Sequence, residues 1–217
     1  MARTAWPSGH LRDEKRRRRA VALRPVALYE GDMTATPRRA TYRHGNLKSA
    51  ALKAATRLVA AAGHEQLSLR EVADAVGVAH RSLYNHFADR EALLDAVATE
   101  AYTRLAAILV KAGTPQDYTA KYVRFALANR ALYALMTSRP HATMKHNPPL
   151  QAAVHKVIAQ AMRIFCQDIE SPAERRRAVM KVYITLYGGI SLYTAGVLDQ
   201  PSEKALIAEL SAMNAGM

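Results

Sequence analysis

Between positions 80 and 86 the chain concentrates side chains that can read a base edge or hold a phosphate: His80, Arg81, Ser82, Tyr84, Asn85 and His86. An arginine fork reads guanine through two N–H bonds, an asparagine amide reads adenine, and Ser, Tyr and His suit phosphate oxygens. Val78, Leu83 and Phe87 interrupt this polar set at helical spacing. They point inward and leave the hydrogen-bonding groups on the outer face of a short helix, expected from about Ala79 to His86.

Other reactive residue types are scattered. His141, His146, His155 and Asp168 have no ligand spacing on one helix, so no metal or cofactor is expected. Cys166 is the single cysteine, which excludes an intrachain disulfide and suggests a reducing compartment. We expect it to be a buried structural thiol. No nucleophile–base pair and no phosphate loop stands out, and an enzyme is the weakest reading. Tyr183, Tyr187 and Tyr193 fall on one side of a long helix, where amphipathic rings suit either a ligand pocket or a packing interface. With Phe125, Met136 and Phe165, the residues Tyr183 and Tyr187 form a tentative pocket set. Packing in the core is the competing reading for Phe125, Met136 and Phe165. Gly188-Gly189 costs that helix roughly 1 kcal/mol per glycine relative to Ala, which implies close helix approach or ligand access. Arg175-Arg176-Arg177 reads as a solvated face near a helix start.

The elements that would position these groups are helical throughout. Leu47, Ala51, Ala54, Leu58 and Ala61 recur at three-to-four spacing and predict a first helix, ended by Gly63. Ser68 and Glu71 form a capping box that opens a second helix, with Leu69, Val72, Ala73 and Val76 inward and Gly77 as its stop. A small residue, a turn glycine and a polar-faced helix are what a helix-turn-helix requires. Small helical bundles that bind nothing share that spacing, so packing and DNA binding both remain open on spacing alone. Asp89 suits the N-cap of a long helix through Leu94, Val97, Ala101, Leu105 and Ile108, which Gly113-Thr114-Pro115 stops. One helical face then runs from Tyr118, Tyr122 and Phe125 through Leu132, Leu135 and Met136. Residues 138–149 read as a loop. A helix is expected over Leu150–Asp168, then a long one opened by the capping box Ser171, Pro172 and Glu174, and a last one carrying Leu206, Leu210 and Met213.

The 217 residues carry a net charge of +13, unevenly placed. Residues 1–40 hold ten Lys/Arg against four Asp/Glu, including the run Lys15 to Arg19, and read as a basic tail. Such a tail is either an arm against DNA phosphates or a solvated extension, and Met33 is an alternative start. Residues 41–100 balance seven against seven. Specificity there must come from individual side chains rather than bulk attraction. No apolar run approaches the roughly 20 residues that cross a bilayer, and a cytoplasmic protein is expected.

The run GVAHRSLYNHFADREALL, with LREVADAV and AATRLVAAAG before it, resembles the DNA-binding domain of TetR-family transcriptional regulators over residues 47–94. The resemblance implies that Ser68 caps a helix bracing a phosphate and that His80, Arg81 and Ser82 begin the base-facing helix. It makes Tyr84 and His86 the backbone-contacting pair, and puts Arg90 where a lysine is usual. Ala79 departs from the family, where a capping Ser is common. Further on, RFALANRALYALMTS is similar to a helix of one subgroup, with Arg130 in place of a frequent proline. YITLYGGISLYTAG is similar to that subgroup's Trp-His-Gly helix, with Tyr183 for Trp, Tyr187 for His and Gly188 retained.

The expectation is therefore an all-α chain: a tail over 1–40, a three-helix helix-turn-helix DNA-binding domain with its connecting helix over 41–112, and a larger ligand-binding and dimerisation domain over 113–217. It implies a homodimer on a palindromic operator in double-stranded DNA, released by a small-molecule effector, most commonly as a repressor. The rival is an architectural DNA-binder without an effector, using its basic tail.

Overall fold

The computed structural model describes residues 47–215, which form α-helices and short connections with no strand among them. The expectations for residues 1–40 lie outside the described residues.

The first helix, α1 (Leu47–Ala62), buries Leu47, Ala51, Ala54, Ala55 and Val59. Small side chains on this stripe let α2 (Leu69–Val76) pack closely through Leu69, Val72 and Ala73. The third helix is shorter than its sequence suggests. Only His80–Leu83 (α3) is α-helical, and Tyr84 to His86 continue as a turn. Ala79 at its N-cap offers no side-chain acceptor, so the element begins without a cap and closes through backbone bonds from His86 and Phe87 to the Leu83 carbonyl, both 2.9 Å.

Helix α4 (Arg90–Leu109) starts where Asp89 accepts the Ala92 N–H at 2.7 Å. Leu93, Leu94, Val97, Ala98, Ala101, Tyr102, Leu105, Ala106 and Leu109 are all buried, a stripe far wider than one amphipathic face. That width follows from its neighbours: α4 packs against α1 and also against α6 and α8 further along the chain. Ile108, expected inward, is on the exposed side.

The face running from Tyr118 to Met136 is two helices, α5 (Pro115–Ala128) and α6 (Arg130–Ser138). Asn129 divides them. Its backbone leaves the helical region at φ −130°, ψ 46°, and its side-chain amide joins its own N–H on the Phe125 carbonyl, at 2.8 and 3.1 Å. The stretch expected as a loop contains one helical turn, α7 (His141–Met144), before α8 (Pro148–Phe165). Asn147 caps α8 by accepting the Leu150 N–H at 3.2 Å, and the helix ends at Phe165, three residues before Asp168, with Cys166 as its C-cap. Cys166 is buried, and burial raises its thiol pKa against the opposing pull of Arg175.

Helix α9 (Pro172–Thr194) begins at Ser171, whose hydroxyl accepts the Glu174 N–H at 3.4 Å, and α10 (Glu203–Ala215) follows. Val182, Leu186 and Ile190 are the buried line of α9, whereas Val197 is exposed beyond the helix end. The two adjacent glycines of α9 differ. A Cβ on Gly189 would stand 2.3 Å from Leu210 Cδ2 of α10, so close approach requires glycine there. A Cβ on Gly188 would meet nothing within 4 Å.

A continuous core runs from Leu47 to Leu210. Its aromatic part is a group of rings from α4, α5, α6 and α8. Tyr118 meets Phe165 edge-on at 5.3 Å, Tyr122 meets Tyr133 at 6.1 Å, and the Tyr102 hydroxyl donates to the Met136 carbonyl at 2.9 Å.

Candidate DNA interface

The turn between α2 and α3 rests on Gly77, which adopts φ +71°, a left-handed conformation that costs an L side chain roughly 1–2 kcal/mol. The Val78 N–H then donates to the Ala73 carbonyl at 3.1 Å and closes the end of α2. The N-terminus of α2 carries the full capping box. Ser68 Oγ accepts the Glu71 N–H at 3.2 Å, while Glu71 Oε2 accepts the Ser68 N–H and hydroxyl, each at 2.9 Å. Ser68 therefore both donates and accepts within the chain.

On α3 and the turn after it, Leu83 and Phe87 are buried in the core, and α3 packs on α1 and α2. His80, Arg81, Tyr84 and Asn85 are exposed, and Ser82 and His86 are half-buried. The structure thus brings all six onto one short segment. Tyr84 is 49% exposed, and its ring meets His80 edge-on at 5.0 Å, an i,i+4 pair on the outer surface. Arg81 and Asn85 have no ion-pair or hydrogen-bond partner among the described residues, so their donors are available. An outward fork, an outward amide and a ring of weaker donors on a one-turn helix can hydrogen-bond in a major groove.

Arg90, at the first position of α4, is engaged differently. Its guanidinium donates to the carbonyls of Leu67 at 2.7 Å, His64 at 2.5 Å and Glu65 at 3.0 Å, and also to Glu91. It ties α4 to the connection between α1 and α2, directly before the capping box. No sequence periodicity points to this bracing role, because it depends on carbonyls about 25 residues away.

A second polar set went unnoticed in the sequence for the same reason. Arg139, just after α6, donates to Glu91 Oε2 at 2.7 Å and to Asp95 Oδ1 at 3.2 Å, and Asn147 donates to Asp95 Oδ2 at 3.0 Å. The Arg139 side chain is only 11% exposed. Its hydrogen bond holds the Glu91 carboxyl below the usual carboxylate range, outweighing partial burial, which acts the other way. Both acidic partners lie in the first two turns of α4, so the start of that helix is held from the α1–α2 connection through Arg90 and from the α6–α8 connection through Arg139 and Asn147.

Of the tentative pocket set, Phe125, Met136 and Phe165 are buried in the core. Tyr183 and Tyr187 are 44% and 41% exposed on α9 and stack on each other at 5.9 Å with 13° between ring planes.

Residues 51–97 match the family model described as bacterial regulatory proteins, tetR family, and residues 116–213 match the one described as tetracyclin repressor-like, C-terminal domain. No curated protein is similar in sequence. Among solved structures, a protein of unknown function from Rhodococcus sp. RHA1 is similar at 29% identity and TM-score 0.66, covering 82% of this chain and 98% of its own. A TetR transcriptional regulator from the same organism is similar at 21% identity and TM-score 0.59, covering 80% and 96%. A TetR protein from Acinetobacter baumannii AYE in complex with minocycline is similar at 21% identity and TM-score 0.58, covering 78% and 94%. These last two likenesses establish the fold. The two family models fall on the helix-turn-helix and on the helices after it, in order, and the chain belongs to the TetR family of transcriptional regulators.

Proposed function

We propose that the protein is a ligand-responsive repressor that binds a palindromic operator as a homodimer. The observation that carries this reading is the division of its surface into two unpartnered faces. One is the polar face of α3, with Arg81, Tyr84 and Asn85 outward. The other is the apolar face of α9, where Met180, Tyr183, Ile184 and Leu192 are exposed, with Met213 exposed on α10. Scattered exposed hydrophobics are ordinary on a protein surface, but a row along one long helix marks an interaction surface. A second copy meeting that row would place two α3 segments on a two-fold axis, and two-fold symmetry in a protein is matched by a palindrome with half-sites one helical turn apart.

His80, Arg81, Ser82 and Asn85 face the bases in this reading. Tyr84 and His86 hold the phosphates, and Ser68 and Arg90 fix the helices that present them. The effector acts by favouring a conformation with the wrong spacing between the two α3 segments, to the extent that its affinity for the two states differs. The minocycline complex of the Acinetobacter relative supports a small-molecule effector here.

Footprinting with the full chain tests the reading. A protected palindrome is expected, with Tyr84→Phe and His86→Ala each weakening binding by about tenfold. Sedimentation should give a dimer that Ile184→Asp converts to monomer. Equal affinity for all sequences, with a steep salt dependence, would defeat the operator reading.

A further inference from the structure

An open groove of about 530 Å³ lies between the α1–α2 connection, α6 and the second half of α9. Its size is within the usual range for small-molecule sites. Tyr133 and Tyr187 line it, together with Ile190, Arg130 and His64. The Tyr187 ring is already one layer of a stack with Tyr183, so an added ring would extend that stack.

The polar groups of the groove are unequal. Thr137 and Thr194 already donate their hydroxyl protons to carbonyls of their own helices, each at 2.9 Å. Tyr133 does not. It is 6% exposed; the Tyr122 hydroxyl points toward it as a donor, and its own proton has no acceptor within hydrogen-bond geometry. Leaving such a group unpartnered inside a protein typically costs about 1–3 kcal/mol, which an incoming acceptor would relieve. Burial raises the pKa of this hydroxyl, so it remains protonated and available as a donor. The Arg130 guanidinium has no carboxylate partner among the described residues. The carboxylate on the rim, Glu65, is 74% exposed and faces His64 at 3.6 Å.

We propose that this groove binds a small aromatic carboxylate, with the ring against Tyr187 and the anionic group on Arg130 and within reach of Tyr133. Arg130 suits this group because its planar fork matches a carboxylate bidentately. The site also reaches the reading head. His64 lies 3.4 Å from the Ser138 hydroxyl and belongs to the connection that Arg90 braces, so an occupant touches α6, α9 and the approach to α2 together. The inference rests on the ligand-responsive part of the proposed function and names the effector class and its location.

Calorimetric titration of the full-length protein with 1-naphthoate and benzoate tests it, with 1-naphthamide as the neutral control. Naphthoate should bind, and the amide should bind at least about tenfold more weakly. Arg130→Gln should reduce naphthoate affinity by a similar factor, and Arg130→Lys should recover part of it. Tyr133→Phe should weaken binding several-fold, with unchanged circular dichroism confirming that each variant is folded. Equal affinity of wild type and Arg130→Gln, or no binding of either carboxylate at millimolar concentration, overturns the proposal. Operator binding read in the same samples separates the two ideas. Naphthoate bound with the operator retained supports the site and refutes the effector role. Operator release by another compound that acts equally on Arg130→Gln refutes the site and leaves ligand response standing.

Discussion

The glycine pair in α9 permits a prediction of opposite signs at adjacent positions. Replacing glycine by alanine within a helix stabilises it by roughly 1 kcal/mol when nothing opposes the new methyl. At Gly188 nothing within the chain does, and Gly188→Ala should raise single-chain stability by about that amount. At Gly189 the methyl would lie 2.3 Å from Leu210 Cδ2 and 3.2 Å from Leu210 Cγ, and Leu210 is itself buried. Forcing a methyl into a packed core typically costs about 1–3 kcal/mol, so the net effect of Gly189→Ala is a loss of up to about 2 kcal/mol. The decisive comparison is a double-mutant cycle with Leu210→Ala, measured by urea unfolding followed by far-ultraviolet circular dichroism. Leu210→Ala alone should cost about 2–5 kcal/mol through the cavity it opens. In that background the added methyl has room, and Gly189→Ala should become stabilising by roughly 1 kcal/mol. The two substitutions should therefore couple by about 1–3 kcal/mol. Additive effects, or a stabilising Gly189→Ala with Leu210 intact, would refute the close packing of α9 on α10.

Three further outcomes follow from the reading head and its brace. Ser68→Ala removes the acceptor of the Glu71 N–H and the donor to its carboxylate, and should lower stability by about 1 kcal/mol in thermal unfolding, as N-cap losses typically do. Arg139→Ala frees Glu91 and leaves Asp95 with Asn147 alone; because Glu91 is more than half exposed, the expected loss is about 1–2 kcal/mol rather than the larger figure for a fully buried pair. The same variant should alter the acid limb of stability. A Glu91 carboxyl held below its ordinary value of 4.5 contributes stability that is fully present above that value and is lost as pH falls through the lower, folded one. Urea midpoints measured from pH 6 down to about pH 3 should fall more steeply in wild type than in Arg139→Ala, and parallel curves would contradict the pairing.

Local signals were enough to read the reading head. Gly77, Leu83 and Phe87 announce a turn and two inward anchors, and the Ser68–Glu71 box appears in the structure with both of its bonds. The length of α3 was not legible, because Tyr84, Asn85 and His86 have acceptable helix propensity and the shift to a turn is set by how Phe87 must reach the core. Asn129 was equally silent: the faces on either side of it continue the same period, and the break lies in its own backbone, at φ −130°, ψ 46°. The Arg90 and Arg139 braces join residues about 23 to 48 positions apart. No window of hydrophobic periodicity spans that distance. On α9, Val182, Leu186 and Ile190 form the buried line at helical spacing, whereas the placing of Tyr187 on the groove depends on α6 and the α1–α2 connection, which are distant in sequence.

Helix α3 has one further consequence. The side chains that hold it in place, Leu83 and Phe87, are not among those it presents to solvent, and Ala79 gives it no cap to lose. Exposed positions remote from caps and cores usually tolerate exchange within about ±0.5 kcal/mol. His80, Arg81, Tyr84 and Asn85 can therefore be varied together without destabilising the scaffold. On the proposed function, the lineage can acquire a new operator, and an engineer can select one from a library at these four positions, while the fold beneath stays the same.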